Sequence, residues 1–144
     1  DYLLKQLGVD REHIGVLVFV SQSPDYRRPA TACVLQYRLG LSRECASFDI
    51  NLGCSGFVYG VVTGTQFIKA GVYKKVLVIG AETLSKILDW NDRNTCVLFG
   101  DGAGAVGEQM DAGHRGLTAA GAIQIRLLRL IHSLTPPYSS TMGF

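Results

Sequence analysis

The sequence lacks the marks of several common classes of protein. No apolar run in its 144 residues reaches the roughly 18 positions that a membrane-spanning helix needs. No signal-peptide pattern opens it, and residue 1 is Asp rather than an initiator Met, so the expectation is that the natural start lies upstream. Acidic residues are missing beyond Asp111: all 12 lie at or before it, while Arg115, Arg126 and Arg129 follow and tip the net charge to +2. The body is therefore almost neutral, and three spread arginines read as a solvated face, not a nucleic-acid-binding stripe. Cysteine is scarce, with four residues spaced 12, 9 and 42 apart (Cys33, Cys45, Cys54, Cys96). That spacing suits neither a zinc site nor a compact disulfide framework, and it points to reduced thiols in the cytoplasm. Short-period repeats and low-complexity linkers are also absent.

What is present fits an α/β protein. The chain is 47% hydrophobic and 18% charged, with 17 glycines suited to tight strand-helix turns. Residues 1–7 read as the end of a helix, with Gly8 as its C-cap. Val16 to Val20 is an apolar run of strand length, and Ser21 to Pro29 is a polar loop. Helical spacing then runs from Ala30 to Leu39 and stops at Gly40; a second strand is expected over Ala46 to Ile50, a helix from Cys54 to Ala70 ending at Gly71, and a third strand over Lys75 to Ile79. Strands apolar on both faces predict a parallel or mixed sheet buried between helix layers.

The most informative residue is Cys54, in the run from Ala46 to Gly60 where a strand pattern breaks at a glycine-flanked turn and a helical pattern begins. A thiol at a helix N-terminus meets unpaired backbone N–H groups and the positive end of the helix dipole, which favour the nucleophilic thiolate. Gly53 and Gly56, lacking Cβ, let backbone and substrate approach closely. A buried structural cysteine is the plainer alternative, and the strand-turn-helix setting weighs against it.

The stretch from Asp49 to Gly60 resembles the nucleophile segment of the β-ketoacyl-ACP synthase III family, within the thiolase superfamily. Three further segments agree in order: Ser23-Pro24-Asp25-Tyr26 with Pro29 to Cys33, Val76 to Glu82, and Asp92-Arg93-Asn94-Thr95 leading into Phe99 to Ala105. The resemblance covers residues 1–108. It implies a thiolase-like layered fold with a mixed sheet between helix layers, and it makes this chain the first half of a duplicated architecture. Residues 109–144 depart from the family pattern and stay unassigned. Their segment Ile123 to His132 offers apolar positions for a helix face, followed by Pro136 and Pro137.

The activity implied is decarboxylative Claisen condensation of an acyl-CoA primer with malonyl-ACP in fatty acid biosynthesis, with Cys54 as the acyl-accepting nucleophile. Arg93 matches an arginine that stacks on the CoA adenine in such enzymes, with Trp90 as a possible neighbour and a surface ion pair with Asp89 or Asp92 as the alternative. The His and Asn that complete the family's site belong to its second half. The implied partners are acyl-CoA, malonyl-ACP with its acyl carrier protein, and a second copy in a homodimer. Neither a cofactor nor a metal is implied. Another acyl-CoA enzyme of the superfamily, such as a polyketide starter or hydroxymethylglutaryl-CoA synthase type, or an inactive fragment, is the alternative. Arg28 departs from the pattern, since members using short aliphatic primers carry an aromatic or apolar residue just before this proline; the primer's identity stays open.

Gly100 to Ala105 satisfies G-x-G-x-x-[GA], the dinucleotide fingerprint, but no amphipathic helix follows and no acidic residue stands about 20 positions on. A glycine-rich strand entry is the better expectation. His13, His114 and His132 are available as proton carriers, yet His13 sits in a surface setting, His114 in a turn-like stretch and His132 in an apolar pattern. None is assigned a catalytic role.

Overall fold

The computed structural model describes residues 4–5, 10–111 and 114–125, with side chains as far as residue 109. Five strands form one mixed sheet: β1 (Val16–Val20), β2 (Ala46–Ile50), β3 (Lys75–Glu82), β4 (Gly102–Asp111) and β5 (His114–Ile125), in the order β2-β1-β3-β4-β5. β1 runs parallel to both β2 and β3, whereas β3–β4 and β4–β5 are antiparallel. Two helices, α1 (Thr31–Leu39) and α2 (Gly56–Lys69), make the crossovers from β1 to β2 and from β2 to β3. No helix among the described residues is long and apolar enough to cross a membrane.

The first crossover steps outward from β1 to β2, and the second steps back across β1 to β3. Two crossovers of the same hand then fall on opposite faces of the sheet. The core divides accordingly. Leu17, Phe19 and Leu77 pack with Ala32, Leu35 and Leu39 of α1 on one face, while Val16, Val18, Val20, Val76, Val78 and Val106 pack with Val61, Phe67 and Ile68 of α2 on the other. The alternation along β1 is the period-2 geometry of a strand with both faces covered. Val16, Leu17, Val18, Val76 and Val78 are fully buried. At about 2 kcal/mol for each such side chain, β1 and β3 anchor the fold, and the half-buried edge strand β2 rides on them.

Helix α2 lies close to the sheet because glycine recurs every fourth residue on its inner face. A Cβ on Gly60 would stand 2.8 Å from Val20 Cγ2, and one on Gly64 would stand 2.8 Å from Val76 Cγ1. Both distances are shorter than real side-chain contacts, so the close packing requires glycine there. Gly71, at φ +70° just past the helix, is the left-handed stop.

Element boundaries differ in detail from expectation. α1 starts at Thr31 and β3 continues to Glu82. α2 begins at Gly56, because the Gly56 N–H donates to the Gly53 carbonyl at 2.7 Å and holds Cys54 and Ser55 in a turn before the helix. Leu4 and Lys5 are helical, in line with a helix near the start, while the expected cap at Gly8 lies outside the described residues. The glycine-rich segment is the beginning of β4, paired Gly80 to Gly104, Ala81 to Ala103 and Glu82 to Gly102. A strand that turns into the hairpin partner β5 has no helix N-terminus to cradle a pyrophosphate, which removes the dinucleotide reading. Residues 114–125, within the stretch assigned to no element of the family, form β5; the apolar positions beyond residue 125 lie outside the described residues.

Candidate active site

β1 and β2 are parallel neighbours whose following helices leave to opposite faces of the sheet. Such divergence opens a crevice at the carboxyl ends of the two strands, the general ligand position in open α/β sheets. Two short segments line it: Ser21 to Ser23 after β1, and Asn51 to Ser55 after β2. Cys54 lies in the second, exposed and in no disulfide. Ser55 places no side-chain cap on α2, so it takes none of the helix's leading N–H groups.

The crevice is braced by carboxylates. Asp49 of β2 accepts from the backbone N–H groups of Thr31 and Ala32, both at 2.7 Å, and so caps the start of α1 from another element. Glu82, the last residue of β3, gathers the segment after β1: it accepts from the N–H of Gln22 at 2.9 Å, from the N–H of Ser23 at 3.2 Å and from Ser23 Oγ at 2.5 Å. Ser23 Oγ in turn accepts from the Thr83 N–H at 2.8 Å. Lys86 pairs with Asp25 at 2.7 Å, and Asp101 accepts from the N–H and the hydroxyl of Ser85. Hydrogen bonds to ionised acceptors are roughly twice as strong as neutral ones, so these ties set the loop positions. Gln22 reaches across the crevice, and a Cβ on Gly53 would stand 2.6 Å from its Oε1.

The other cysteines sit in different settings. Cys45 is buried, and loss of hydration pushes its thiol up from its ordinary pKa. Cys33 is exposed on α1 and donates to the Ser47 carbonyl at 3.7 Å, while Cys96 is half-buried. Arg93 lies in the turns that follow β3, exposed next to Trp90 and Asp92. Because β2 and β3 both run parallel to β1, the segments carrying Cys54 and Arg93 leave from the same, carboxyl, end of the strands, with β1 between them. The expected ion-pair alternative for Arg93 is not formed: Asp92 accepts from Thr95 Oγ1 at 2.7 Å and from the Asn94 N–H, and Asp89 accepts from the Asn91 N–H. His13 is tied to Asp10 at 3.0 Å on the surface, outside the crevice. His114 lies on β5, and His132 lies outside the described residues. No group of three or more His, Cys, Asp or Glu among the described residues is arranged to hold a metal.

Sequence reading singled out Cys54 and Arg93 but passed over Asp49, Glu82 and Gln22. The first two belong to quoted motifs, yet their partners are 17 to 61 residues away in the chain, and no local pattern reveals such pairs. Large apolar side chains are also exposed on α2 and on the segment before β4. Phe57, Val58, Tyr59 and Val62 on α2, with Leu52 before it, are at least 38% exposed, and Val97, Leu98 and Phe99 are at least 53% exposed.

Comparison with known proteins gives a consistent answer. The family model described as 3-oxoacyl-[acyl-carrier-protein (ACP)] synthase III matches residues 48–121, which carries the match beyond residue 108. The curated β-ketoacyl-[acyl-carrier-protein] synthase III of Caldanaerobacter subterraneus subsp. tengcongensis is 52% identical over 102 residues, covering 71% of this chain and 30% of the relative. A second such relative, from Bacillus cereus, is 50% identical over 103 residues, covering 72% of this chain and 33% of its own length. The crystal structure of 3-oxoacyl-[acyl-carrier-protein] synthase III from Aquifex aeolicus superposes with a TM-score of 0.72 at 44% identity, over 76% of this chain and 35% of that one. The chain thus spans about a third of the length of the relatives it matches.

Proposed function

This chain belongs to the 3-oxoacyl-[acyl-carrier-protein] synthase III family, and from that premise we propose that it supplies the nucleophile-bearing part of an acyltransferase that condenses an acyl-CoA primer with malonyl-ACP in fatty acid biosynthesis. The observation that carries the reading is the position of Cys54: an exposed sulfur in the turn before α2, at the crevice where the β1 and β2 connections diverge. The Cys54 sulfur attacks the acyl-CoA thioester and CoA leaves as its thiol, giving an acyl-enzyme. Malonyl-ACP then loses carbon dioxide, and the resulting carbanion equivalent attacks the acyl group, releasing 3-oxoacyl-ACP and the free cysteine. Dividing the reaction in this way replaces one difficult step by two easier ones.

The Cys54 backbone N–H contributes one donor to the oxyanion formed at the acyl carbonyl, a contact typically worth about 3 kcal/mol. Arg93 offers a planar guanidinium for stacking on the CoA adenine, and its lack of an ion pair with Asp89 or Asp92 leaves it available for that contact. The His and Asn that complete the site in the family's pattern match no position of residues 1–108. The exposed apolar residues of α2 suit coverage by further protein, including a second copy in a homodimer. The reaction calls for no metal or cofactor, and a reduced Cys54 fits a cytoplasmic location. Incubating the full-length protein with acyl-CoA and malonyl-ACP and assaying 3-oxoacyl-ACP tests the reading. Product formation that disappears in Cys54→Ala supports it, and product formation that survives Cys54→Ala refutes it.

A further inference from the structure

Cys54 stands on a turn closed by the Gly56 N–H to Gly53 carbonyl hydrogen bond at 2.7 Å, and no side chain from Ser55 caps the helix it leads into. That bond closes the turn on itself, and contacts from across the crevice set where the closed turn sits. The opposite wall of the crevice carries a side chain suited to the purpose. Gln22 lies over Gly53, with its Oε1 2.6 Å from where a Cβ would be, and its own backbone N–H is fixed at 2.9 Å by Glu82 Oε1. Glu82 holds the adjacent Ser23 by two further hydrogen bonds, so the segment from Ser21 to Ser23 has one carboxylate as its anchor. Glu82 itself ends β3, the strand that pairs with both β1 and β4, and is held there opposite Gly102.

We propose that Glu82 and Gln22 are positioning residues for Cys54. Glu82 fixes the segment after β1, Gln22 rests its amide on Gly53, and the turn from Gly53 to Gly56 is held so that Cys54 keeps its place at the crevice ahead of α2. The role rests on the reading of Cys54 as the nucleophile, but it is measurable without acyl transfer, because iodoacetamide reports on the sulfur alone.

The test uses the 144-residue chain and follows alkylation of Cys54 and Cys33 by peptide mapping between pH 6 and 9, in the native protein and in Gln22→Ala, Glu82→Gln, Glu82→Asp and the double variant Gln22→Ala/Glu82→Gln. Gln22 is exposed, so its truncation leaves the core intact. Gln22→Ala and Glu82→Gln are each expected to slow Cys54 alkylation at neutral pH by about threefold to tenfold, as for a reactive group displaced from its held position. Alkylation of Cys33 should be unchanged in both. The double variant should be no slower than the slower single one, since both residues act through the same contact, and Glu82→Asp should recover part of the rate. Removing the Glu82 charge would by electrostatics alone speed attack, so a fall in Glu82→Gln reports lost positioning. An unchanged or faster Cys54 in Gln22→Ala, or equal slowing of Cys54 and Cys33, overturns the proposal. Loss of acyl transfer in the native protein would count against the function proposed above and leave this alkylation result to stand or fall separately.

Discussion

Thr65 on α2 donates its hydroxyl to Glu108 Oε2 on β4 at 2.8 Å, inside the valine-lined face of the sheet, while Glu108 Oε1 has no partner. Glu108 is 4% exposed, and loss of hydration raises its carboxyl above the ordinary value of 4.5, opposed only in part by the Thr65 hydrogen bond. Its cross-strand neighbours, Val76 on β3 and Ala119 on β5, carry no charge, and the α2 residues against it are Gly64 and Thr65. The folded state therefore favours the protonated acid more than the unfolded chain does. Stability from this group is present at acidic pH and is lost as pH rises from about 4.5 through the raised folded value. Urea midpoints should consequently fall as pH rises from about 4.5, and Glu108→Gln, which stays neutral, should flatten that fall. A Glu108→Gln protein as pH-dependent as the native one would show that the burial cost lies elsewhere.

Asp49 joins two elements, since its carboxylate accepts the first N–H groups of α1 from a position on β2. Asp49→Ala should cost about 1–2 kcal/mol of stability, as expected for a helix cap with two charge-assisted bonds. Asp49→Asn should retain part of that, because an amide oxygen still accepts one of them. Chemical denaturation of the three proteins gives the ordering, and equal stability of Asp49→Ala and the native chain would deny the cap any energetic role.

The four thiols should react in a defined order with iodoacetamide near neutral pH. Cys54 is expected first, because it is exposed beside a helix N-terminus; Cys33 follows, exposed but engaged with the Ser47 carbonyl; Cys96 is half-buried, and Cys45 comes last because it is buried and held protonated. Peptide mapping over time resolves the four. Equal labelling of Cys33 and Cys54 would remove the special setting claimed for Cys54.

The exposed apolar faces predict self-association. Val58, Tyr59 and Val62 on one helix, and Val97, Leu98 and Phe99 on another segment, are more than half exposed, two clusters of large apolar side chains of the kind that mark association surfaces. Light scattering after size exclusion should find residues 1–144 dimeric or aggregated. A monodisperse monomer at micromolar concentration would contradict this.

Much of the fold was legible in the sequence because its signals are local. Val16 to Val20 is an unbroken apolar run, and Gly40 and Gly71 punctuate two helical patterns; both glycines take the left-handed conformation that ends a helix. The cysteine at the strand-to-helix turn was legible for the same reason. The errors in these elements lay at their boundaries. Gly53 to Gly56 looks like the start of a helix, but the backbone spends those residues in a turn, which only the Gly56-to-Gly53 hydrogen bond decides. Long-range pairing was not legible. Nothing near Glu82 announces that it gathers residues 21–23, and nothing near Glu108 announces that it is buried, since a glutamate between Gly107 and Gln109 reads locally as surface. The β4–β5 hairpin was missed because its alternating small residues carry little periodic signal.

The central claim is that Cys54 takes an acyl group from acyl-CoA. Incubating the full-length protein with acetyl-CoA in the absence of malonyl-ACP, then mapping acetyl thioesters on the cysteine peptides by mass spectrometry, tests it most directly. Acetyl on Cys54 and not on Cys33, Cys45 or Cys96 is the predicted result. An unmodified Cys54 under conditions that alkylate it readily, or acetyl spread over all four thiols, would contradict it.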